Sequence, residues 1–487
     1  MKKTAILGLV CLVLLSGCGK KDLPGEETAT TLSSQEMLTV VVTEDTIGEL
    51  EGYPNLQKLD LTGSTCYKAI LEYMEAHPET EVLYTVDLGG TEVPSDTREL
   101  ELEEGSYRYD VLLTNIRYLP ALQKLHLPKT TLSPGEMEDL QSMAPEAEVS
   151  YTVALLGWEI SSDETELDLS GLTQEDVEAA GKALSLLPKL ETVYLMDEAG
   201  KSQLTVEDVW NLQQAAPDIL FDYSFDLFGL KVSTTDEKVE FKNKKIGDEN
   251  EPQLRQAMDI LKNCTYMSFE HCRQSDERLA QLREDYRGKI KIAWRIYFAK
   301  AGSCMTDRTV LRYVYNVTNS TVTRLKYCED VEYIDFGHNE ILSDWSWVAF
   351  MPKLKAIIVS GSIIKDLTPF ENCKELEFLE LSNCGLLTDC TPLAQCTSLK
   401  RLNISYTKIE DLSPLDDLPL ECFVYVKPKA SEEELARFEA QHPDCVTLYE
   451  GEEYGWPWRY EKDGTPTPAY RKLQEVFHYP DATDTTW

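Results

Sequence analysis

The feature that most constrains the fold of this chain is a short repeat in its C-terminal half. Between residues 331 and 425, a pattern of apolar residue, two variable residues, apolar residue, one variable residue and apolar residue recurs five times. The copies are 23, 22, 23 and 21 residues apart, measured at their central residues Ile334, Ile357, Leu379, Leu402 and Phe423. Each copy predicts a short strand that buries alternate side chains, and units this small must stack on their neighbours to bury a core.

A second motif follows the predicted strands and carries a family resemblance. It reads Asp-Leu-Thr-Pro-Phe at 366–370, Asp-Cys-Thr-Pro-Leu at 389–393 and Asp-Leu-Ser-Pro-Leu at 411–415. With the spacing of the strands, these segments resemble the repeats of bacterial internalin-like leucine-rich repeat proteins. An earlier copy departs from the motif, because Trp347 stands where the others have Pro. For residues 326–449 the resemblance implies an α/β repeat solenoid of short parallel strands with helical or irregular outer turns.

Residues 38–325 carry a longer and looser period. Predicted strands centred on the aromatic residues Tyr84, Tyr151, Tyr223 and Trp294 recur at steps of 67, 72 and 71 residues, about three repeat lengths each. We interpret these residues as divergent leucine-rich-like modules of strands and helices that continue the same solenoid as one sheet. The alternative is a series of separate α/β domains joined to a true leucine-rich segment.

The last part of the chain, residues 450–487, lacks the repeat. Trp456, Trp458 and Arg459 precede a set of apolar residues at helical spacing, which are Tyr470, Leu473, Val476 and Phe477. A solenoid exposes core side chains at its ends, so we predict that this aromatic segment and its helix form a C-terminal cap over the open end.

The N-terminal residues 1–17 are predicted to be a signal peptide. Two Lys residues precede an apolar run from 5 to 15, which is shorter than the roughly 20 residues needed to span a membrane. Residues 15–18, Leu-Ser-Gly-Cys, resemble the lipobox of bacterial lipoproteins. The resemblance implies cleavage before Cys18, attachment of lipid to Cys18, and retention on the extracytoplasmic face of a cell membrane. The polar residues 18–37 are predicted to form a disordered tether.

Charge and cysteine content narrow the possible partners. The net charge of −38 argues against nucleic acid as a partner and against adhesion to anionic lipid, since both interactions need a basic surface. Membrane attachment is therefore predicted to depend on the N-terminal lipid. Of the 13 Cys, Cys11 lies in the signal peptide and Cys18 is the proposed anchor; the other eleven follow no regular framework, and we predict mostly free, buried thiols.

No catalytic or metal-binding motif is recognisable in the sequence. No two of the six His residues have the spacing of metal ligands, and no nucleophile and base form a triad motif, so we predict no metal, no cofactor and no enzymatic activity. Two alternatives are a lipoprotein solute receptor and an extracytoplasmic hydrolase. A receptor of that class needs two lobes around a cleft. A hydrolase needs a convergent cluster of reactive side chains, and such a cluster in a closed pocket between Leu38 and Tyr327 would favour that alternative.

The predicted strands also define a candidate binding face. Residues on either side of each central apolar residue project from the concave face of the sheet, because side chains alternate along a strand. Tyr333, Ile358 and Phe378 are predicted to form an exposed apolar patch there beside Arg401, a composition typical of protein interfaces. The alternative is that these side chains stack along the sheet or are covered by a loop. The full predicted site for a protein or glycan ligand is Tyr333, Asp335, Ile358, Phe378, Glu380, Arg401 and Asn403.

Overall fold

The computed structural model describes residues 36–298, 302–320 and 322–479. By its internal contacts the chain divides into two compact units, Met1–Phe225 and Asp226–Trp487. The proposed anchor Cys18 lies outside the described residues, as does nearly all of the predicted tether. The signal peptide and the lipidation of Cys18 therefore stay predictions.

The N-terminal unit consists of short strands and helices. Its strands are β1 (Met37–Thr39), β2 (Lys58–Asp60), β3 (Glu81–Leu83), β4 (Thr85–Asp87), β5 (Glu92–Pro94), β6 (Glu99–Glu101), β7 (Lys124–Leu127), β8 (Glu148–Leu155), β9 (Trp158–Ser161), β10 (Glu166–Asp168), β11 (Thr192–Tyr194) and β12 (Leu220–Asp222). Its helices are α1 (Tyr67–Ala76), α2 (Tyr109–Asn115), α3 (Pro134–Met143), α4 (Val177–Leu184) and α5 (Val206–Ala215). The strand β13 (Ser224–Leu227) runs across the boundary in sequence.

The modules of this unit each form a small parallel sheet, and the chain then turns back in an antiparallel hairpin. β1, β2 and β3 are parallel and are followed by the hairpin β4–β5; β6, β7 and β8 are parallel, and β9 returns antiparallel to β8. β10, β11 and β12 form a third parallel sheet. The prediction of one continuous sheet is therefore wrong for this unit. After its parallel part, Glu148–Tyr151, β8 continues as Thr152–Leu155 into the antiparallel hairpin with β9, and the next parallel sheet starts anew at β10.

Local capping signals set the starts of the helices. Ser133 precedes α3, and its hydroxyl accepts a hydrogen bond from the amide of Glu136 at 3.3 Å. The Glu136 carboxylate accepts in return from the Ser133 amide at 2.8 Å. This reciprocal pair is a capping box, which satisfies two amides that have no partner inside the helix. Thr205 and Asp208 form the same pair at the start of α5.

The aromatic residues that mark the longer period are buried in equivalent places. Tyr84, Tyr151 and Tyr223 each lie in the core, where a phenol hydroxyl needs a partner because burial removes its water. Each hydroxyl donates to a backbone carbonyl: Tyr84 to Tyr118 at 2.5 Å, Tyr151 to Leu186 at 2.7 Å and Tyr223 to Leu204 at 2.8 Å.

The C-terminal unit begins with one more module and continues into a longer sheet. Its strands are β14 (Leu230–Ser233), β15 (Lys238–Lys242), β16 (Tyr266–Glu270), β17 (Lys291–Phe298), β18 (Gly302–Met305), β19 (Val310–Arg312), β20 (Tyr333–Asp335), β21 (Ala356–Ile358), β22 (Phe378–Glu380), β23 (Arg401–Asn403), β24 (Cys422–Val424) and β25 (Val446–Leu448). Its helices are α6 (Glu251–Ile260), α7 (Asp276–Asp285), α8 (Glu432–Gln441) and α9 (Pro468–Phe477).

Strands β19 to β25 form one parallel seven-stranded sheet in sequence order. The five strands predicted from the short period are confirmed in position and in register, because the central residues pair directly along the sheet and are fully buried: Ile334, Ile357, Leu379, Leu402 and Phe423. The sheet starts at β19, earlier than the predicted boundary at 326. The sequence does not indicate that β19 belongs to the sheet, because Leu311 is the one residue of this strand that is fully buried.

Short 3₁₀ helices form the outer turns of these repeats, at Ser346–Phe350, Thr368–Asn372, Thr391–Gln395 and Ser413–Leu415. In the last three, Pro lies in the first turn, where its missing amide hydrogen costs nothing. The first forms in the same place although Trp347 replaces the Pro. The Trp347 indole is buried and its nitrogen donates to the carbonyl of Asp344 at 2.9 Å, so packing holds the turn instead.

Candidate functional site

The face of the seven-stranded sheet that carries the predicted site is not exposed. Tyr333, Ile358 and Phe378 are all buried, so the prediction of an exposed apolar patch is wrong. The alternative, in which another part of the chain covers the face, describes the structure. Residues 451–479, which we call the cover segment, supply Trp458, Leu473 and Phe477 to the same hydrophobic cluster.

The cover segment also corrects the prediction of a terminal cap. The sequence suggested that residues 450–487 cover an open end of the repeat, but the described part of that segment packs on the sheet face itself. Its helix α9 starts at Thr467, whose hydroxyl accepts from the amide of Tyr470 at 3.2 Å. The apolar side of α9 then faces the sheet through Leu473 and Phe477.

Trp458 lies at the centre of this contact and is 0% exposed. Its ring packs against Phe378 with 4.4 Å between ring centroids. Its indole nitrogen donates to the carboxylate of Glu380 at 2.6 Å. Arg401 donates from one guanidinium nitrogen to the backbone carbonyls of Pro457 and Trp458, at 2.7 Å each. The indole nitrogen and the backbone carbonyls of Pro457 and Trp458 thus all have hydrogen-bond partners around a fully buried ring.

Glu380 is a buried carboxylate with a full set of partners. It is 1% exposed, and Arg459 donates to both of its oxygens at 3.2 and 3.3 Å. Ser360 donates a further hydrogen bond at 2.7 Å. Burial opposes the charge on Arg459, but the neighbouring Glu380 carboxylate holds the pKa of the guanidinium above its usual range. The guanidinium of Arg459 therefore stays charged beside Glu380.

Asp335 and Asn403 make the remaining polar contacts to the cover segment. The hydroxyl of Tyr479 donates to Asp335 at 2.6 Å. Burial raises the pKa of Asp335, while the hydrogen bonds from Tyr479 and from the amide of Gly337 act in the opposite direction. The side-chain amide of Asn403 donates to the carbonyl of Glu453 at 2.9 Å. All seven predicted site residues therefore lie together, and together they hold the chain's own C-terminal segment.

Exposed apolar side chains also lie in the loops that follow the strands of this sheet. The sequence analysis did not predict this surface as a site, and we call it the loop ridge. Tyr315 is 63% exposed and Ile341 is 62% exposed, and both are large and apolar. The members of the loop ridge are Tyr315, His338, Ile341, Ile363, Leu386 and Tyr406.

The loops that carry the loop ridge keep the register of the repeats beyond the strands. The amide of His338 donates to the carbonyl of Ser360 at 2.8 Å, and the amide of Ile363 donates to Leu342 at 3.1 Å. The rings of Tyr315 and His338 stack with 5.6 Å between centroids. A sequence signal did exist. Ile341, Ile363 and Leu386 each precede a buried apolar residue at the repeat spacing, so one residue of each apolar pair must face outward.

The described residues offer little of the chemistry that a hydrolase needs. A cavity of about 430 Å³ in the C-terminal unit is lined mainly by charged side chains, which pair with one another. Lys291 and Lys353 both contact Asp330, and Arg287 contacts Glu329. Burial raises the pKa of Cys390 to about 12, and the other buried thiols whose pKa departs from the ordinary value shift in the same direction. Protonated thiols are poor nucleophiles.

Among the described ranges, no group of three or more His, Cys, Asp or Glu side chains is placed to hold a metal ion. Within the same ranges, no helix is long and apolar enough to cross a membrane. Ten of the eleven thiols in these ranges are buried, and all eleven are free. One pair is close, since the sulfur atoms of Cys304 and Cys328 are 3.9 Å apart.

Comparison with known proteins identifies part of the repeat. Residues 374–417 match the family model described as leucine-rich repeats in two copies. These residues form strands β22 and β23 with their outer turns, so this part of the sheet consists of leucine-rich repeats. No curated protein matches the chain in sequence.

Several solved structures match the chain at low sequence identity and low TM-score. An internalin C2 of Listeria monocytogenes is 18% identical over 40% of this chain and 74% of its own, with a TM-score of 0.26. An internalin (inlF) of the same species is 15% identical, covering 88% of this chain and 83% of its own, with a TM-score of 0.25. A leucine-rich repeat protein of Leptospira interrogans is 15% identical, covering 86% and 97%, with a TM-score of 0.26.

Proposed function

We propose that this protein is a lipid-anchored, non-enzymatic protein of the cell surface that binds a protein or glycan ligand. The observation that carries the binding role is the loop ridge, in which Tyr315, Ile341, Leu386 and Tyr406 are exposed and Ile363 is half-buried, in the loops of successive leucine-rich repeats. Contiguous exposed apolar surface of this kind is uncommon on proteins that bind nothing. Tyr315 and Tyr406 add the residue type most enriched at interfaces.

The loop ridge, rather than the predicted concave face, is the surface available to a ligand. The predicted face is already occupied, because Trp458 fills its centre and Arg459 neutralises Glu380. A ligand there would have to displace a packed hydrophobic cluster and leave a buried carboxylate without its partner, which is costly. Ile341 and Leu386 need no such rearrangement.

The anchoring half of the proposal is tested at Cys18. We expect Cys18→Ala to move the protein from the membrane fraction to the soluble fraction, because the lipid supplies the membrane affinity. Cys11→Ala is the matched control, since it changes a Cys of the signal segment that carries no lipid in the proposal. Fractionation of cells with detection of the full chain gives the result. A Cys18→Ala protein that remains with the membrane contradicts the anchor.

The binding half is tested on the loop ridge. The full chain is immobilised and incubated with solubilised surface proteins and, separately, with an array of glycans. We expect the double variant Ile341→Ser, Leu386→Ser to lose most of the wild-type recovery. Phe350→Ser is the matched control, since Phe350 is similarly exposed but lies on an outer turn. Equal recovery by the wild type and the double variant contradicts the loop ridge as the binding surface.

A further inference from the structure

The hairpin β8–β9 of the N-terminal unit presents two large apolar side chains to solvent at its turn. Trp158 is 76% exposed and Leu156 is 48% exposed. The turn consists of Leu156 and Gly157, and both have positive φ, at 49° and 85°. This is the backbone of a two-residue hairpin turn, and a leucine adopts it at a cost that glycine or asparagine avoids.

A groove of about 660 Å³ runs between this hairpin and the first strand of the next module, β10. The hairpin and the segment that starts with β10 both contribute apolar side chains to its lining. They are Leu155, Trp158, Ile160, Leu167, Leu169 and Leu172. All of them belong to the N-terminal unit. We call this feature the hairpin groove.

The same turn recurs later in the chain, where it is covered. Phe228 and Gly229 follow β13 with φ of 55° and 76°, so they repeat the turn of Leu156 and Gly157. The ring of Phe228 packs edge-on against Phe241 of β15, with 6.3 Å between centroids. Phe241 is fully buried, and Phe228 is half-buried. In this module, the next strand therefore covers the turn.

The two modules differ in several side chains around this turn, and the difference at Leu169 bears on the open groove. Val239 and Phe241 of β15 correspond to Leu167 of β10 and to Leu169, which follows it, because each lies 72 residues after its counterpart, as Phe228 does after Leu156. Leu169 is only half-buried. A leucine is too short to reach the turn as Phe241 does, so the apolar surface at Leu156 is left without a partner.

Two strand edges flank the hairpin groove. In the described part of the chain β9 pairs only with β8, and β10 pairs only with β11. The outer side of each strand therefore presents backbone amides and carbonyls that no other strand uses. An extended peptide can add to such an edge and place alternate side chains into an adjacent apolar groove.

The rim of the hairpin groove is acidic. Glu159, Glu164, Glu166 and Asp168 all line it. Lys129 contacts Glu159 at 2.9 Å and is the one cation that pairs with this set within the described ranges. An uncompensated cluster of carboxylates favours a cationic partner and disfavours an acidic one.

We propose that the hairpin groove binds an extended segment of a partner protein in which basic and apolar side chains alternate. The apolar side chains enter the groove against Trp158 and Leu169, and the basic side chains face the carboxylates of the rim. Alternation follows from the extended form, because successive side chains of a strand point to opposite sides. This site lies in a different unit from the loop ridge and depends on neither the lipid nor that surface.

The test uses the full chain and a defined probe. The probe is an eight-residue peptide of alternating Lys and Val with a fluorescent label and blocked termini, and the matched control peptide alternates Glu and Val. We expect the Lys–Val peptide to bind at least tenfold more tightly than the Glu–Val peptide in a fluorescence anisotropy titration at physiological salt. No detectable binding of the Lys–Val peptide overturns the proposal.

The decisive variant is Leu169→Phe, which fills the groove with the side chain that the later module uses and leaves the charge of the protein unchanged. We expect it to weaken binding of the Lys–Val peptide at least tenfold while the thermal midpoint stays close to that of the wild type. Leu83→Phe, at a leucine of β3 that is 38% exposed and lies outside the groove lining, is the matched control and should bind normally. If Leu169→Phe fails to fold, Trp158→Ala replaces it, since Trp158 is exposed. Wild-type binding by these groove variants shows that charge alone attracts the peptide and overturns the site.

Discussion

At the scale of single residues, Glu380 occupies a variable position of the repeat. It shows that a polar side chain at such a position can determine how stably the sheet face is covered. Its carboxylate is buried and receives hydrogen bonds from Trp458, Arg459 and Ser360. The attraction to Arg459 offsets the cost of removing both charges from water only while both partners are present. The pair is therefore a sensitive point of the C-terminal unit.

We expect Glu380→Gln to lower the free energy of unfolding by about 3 kcal/mol, because it leaves the Arg459 guanidinium, whose side chain is 27% exposed, without its carboxylate partner. Glu377→Gln is the matched control. Glu377 contacts Lys400 at 3.3 Å, but both side chains are nearly half exposed, so its loss should cost less than about 1 kcal/mol. Urea denaturation of the two variants gives the comparison. Equal losses would mean that the buried pair contributes no more than a surface pair.

The second prediction at this scale concerns the thiols of Cys304 and Cys328. Their sulfur atoms are 3.9 Å apart and both side chains are buried, whereas a disulfide bond is about 2.05 Å long. The proximity of Cys304, together with burial, raises the pKa of Cys328 well above its usual range. The thiolate is therefore scarce in the folded state, and we expect the bond to form during folding in an oxidising medium, where the chain is still accessible.

Refolding the full chain with oxidised and reduced glutathione tests this. One thiolate attacks glutathione disulfide and releases one glutathione, and the second thiolate then displaces the other, so the pair loses two electrons. We expect a bond that closes a loop of about 25 residues and adds about 3 kcal/mol. Mass spectrometry after alkylation in denaturant should find the linked peptide in wild type and no such peptide in Cys304→Ser. Alkylation of both thiols in the wild type would show that the bond does not form.

At the scale of elements, the cover segment is held by one central anchor. Trp458 fills the site against Phe378 and connects the segment to Glu380, whereas Trp456, two residues earlier, is only half-buried and contacts the side chain of Lys462. Both belong to the same stretch of chain, but they differ in what surrounds them. The energy of a buried aromatic residue depends on the cavity that its removal leaves.

We expect Trp458→Ala to cost about 3–5 kcal/mol of unfolding free energy and to increase binding of a hydrophobic dye, because the sheet face around Phe378 becomes accessible. Trp456→Ala serves as the control and should cost clearly less. Thermal unfolding and dye fluorescence measure the two effects. If both variants lost the same stability, the cover segment would not depend on the central anchor.

At the scale of the whole molecule, charge is the property that the composition determines most directly. A chain with 85 acidic and 47 basic side chains repels itself at neutral pH. Salt screens charges separated by more than about 10 Å at 0.1 M. The buried pairs, such as Glu380 with Arg459, are screened much less.

We therefore expect the thermal midpoint at pH 7 to rise by a few degrees between 20 and 300 mM sodium chloride. Screening of net repulsion acts in this direction, and loss of surface ion pairs acts in the opposite direction but is worth little. Differential scanning calorimetry at the two salt concentrations gives the result. A midpoint that falls with salt would show that local ion pairs outweigh the net charge.

Much of the local structure of this protein was determined by the sequence alone. The repeat of 21 to 23 residues predicts the strands β20 to β24 and their register, because burial of alternate side chains depends on spacing along the chain. The start of α3 follows from Ser133 and Glu136, which are three residues apart. The aromatic residues of the longer period lie in equivalent buried places for the same local reason.

The tertiary structure alone decided which surfaces are open. Glu380 and Arg459 are 79 residues apart in sequence, and the sequence of neither segment indicates that the cover segment packs over the strand of Glu380. The alternating pattern of a strand is the same whether its outer side chains meet water or another part of the chain. For that reason the predicted site residues lie together but are buried. The repeat spacing contains a signal for the loop ridge, but only side-chain exposure shows that the loop ridge and the hairpin groove are open. Packing between distant segments depends on the shape of both, and a period in one of them carries no information about the other.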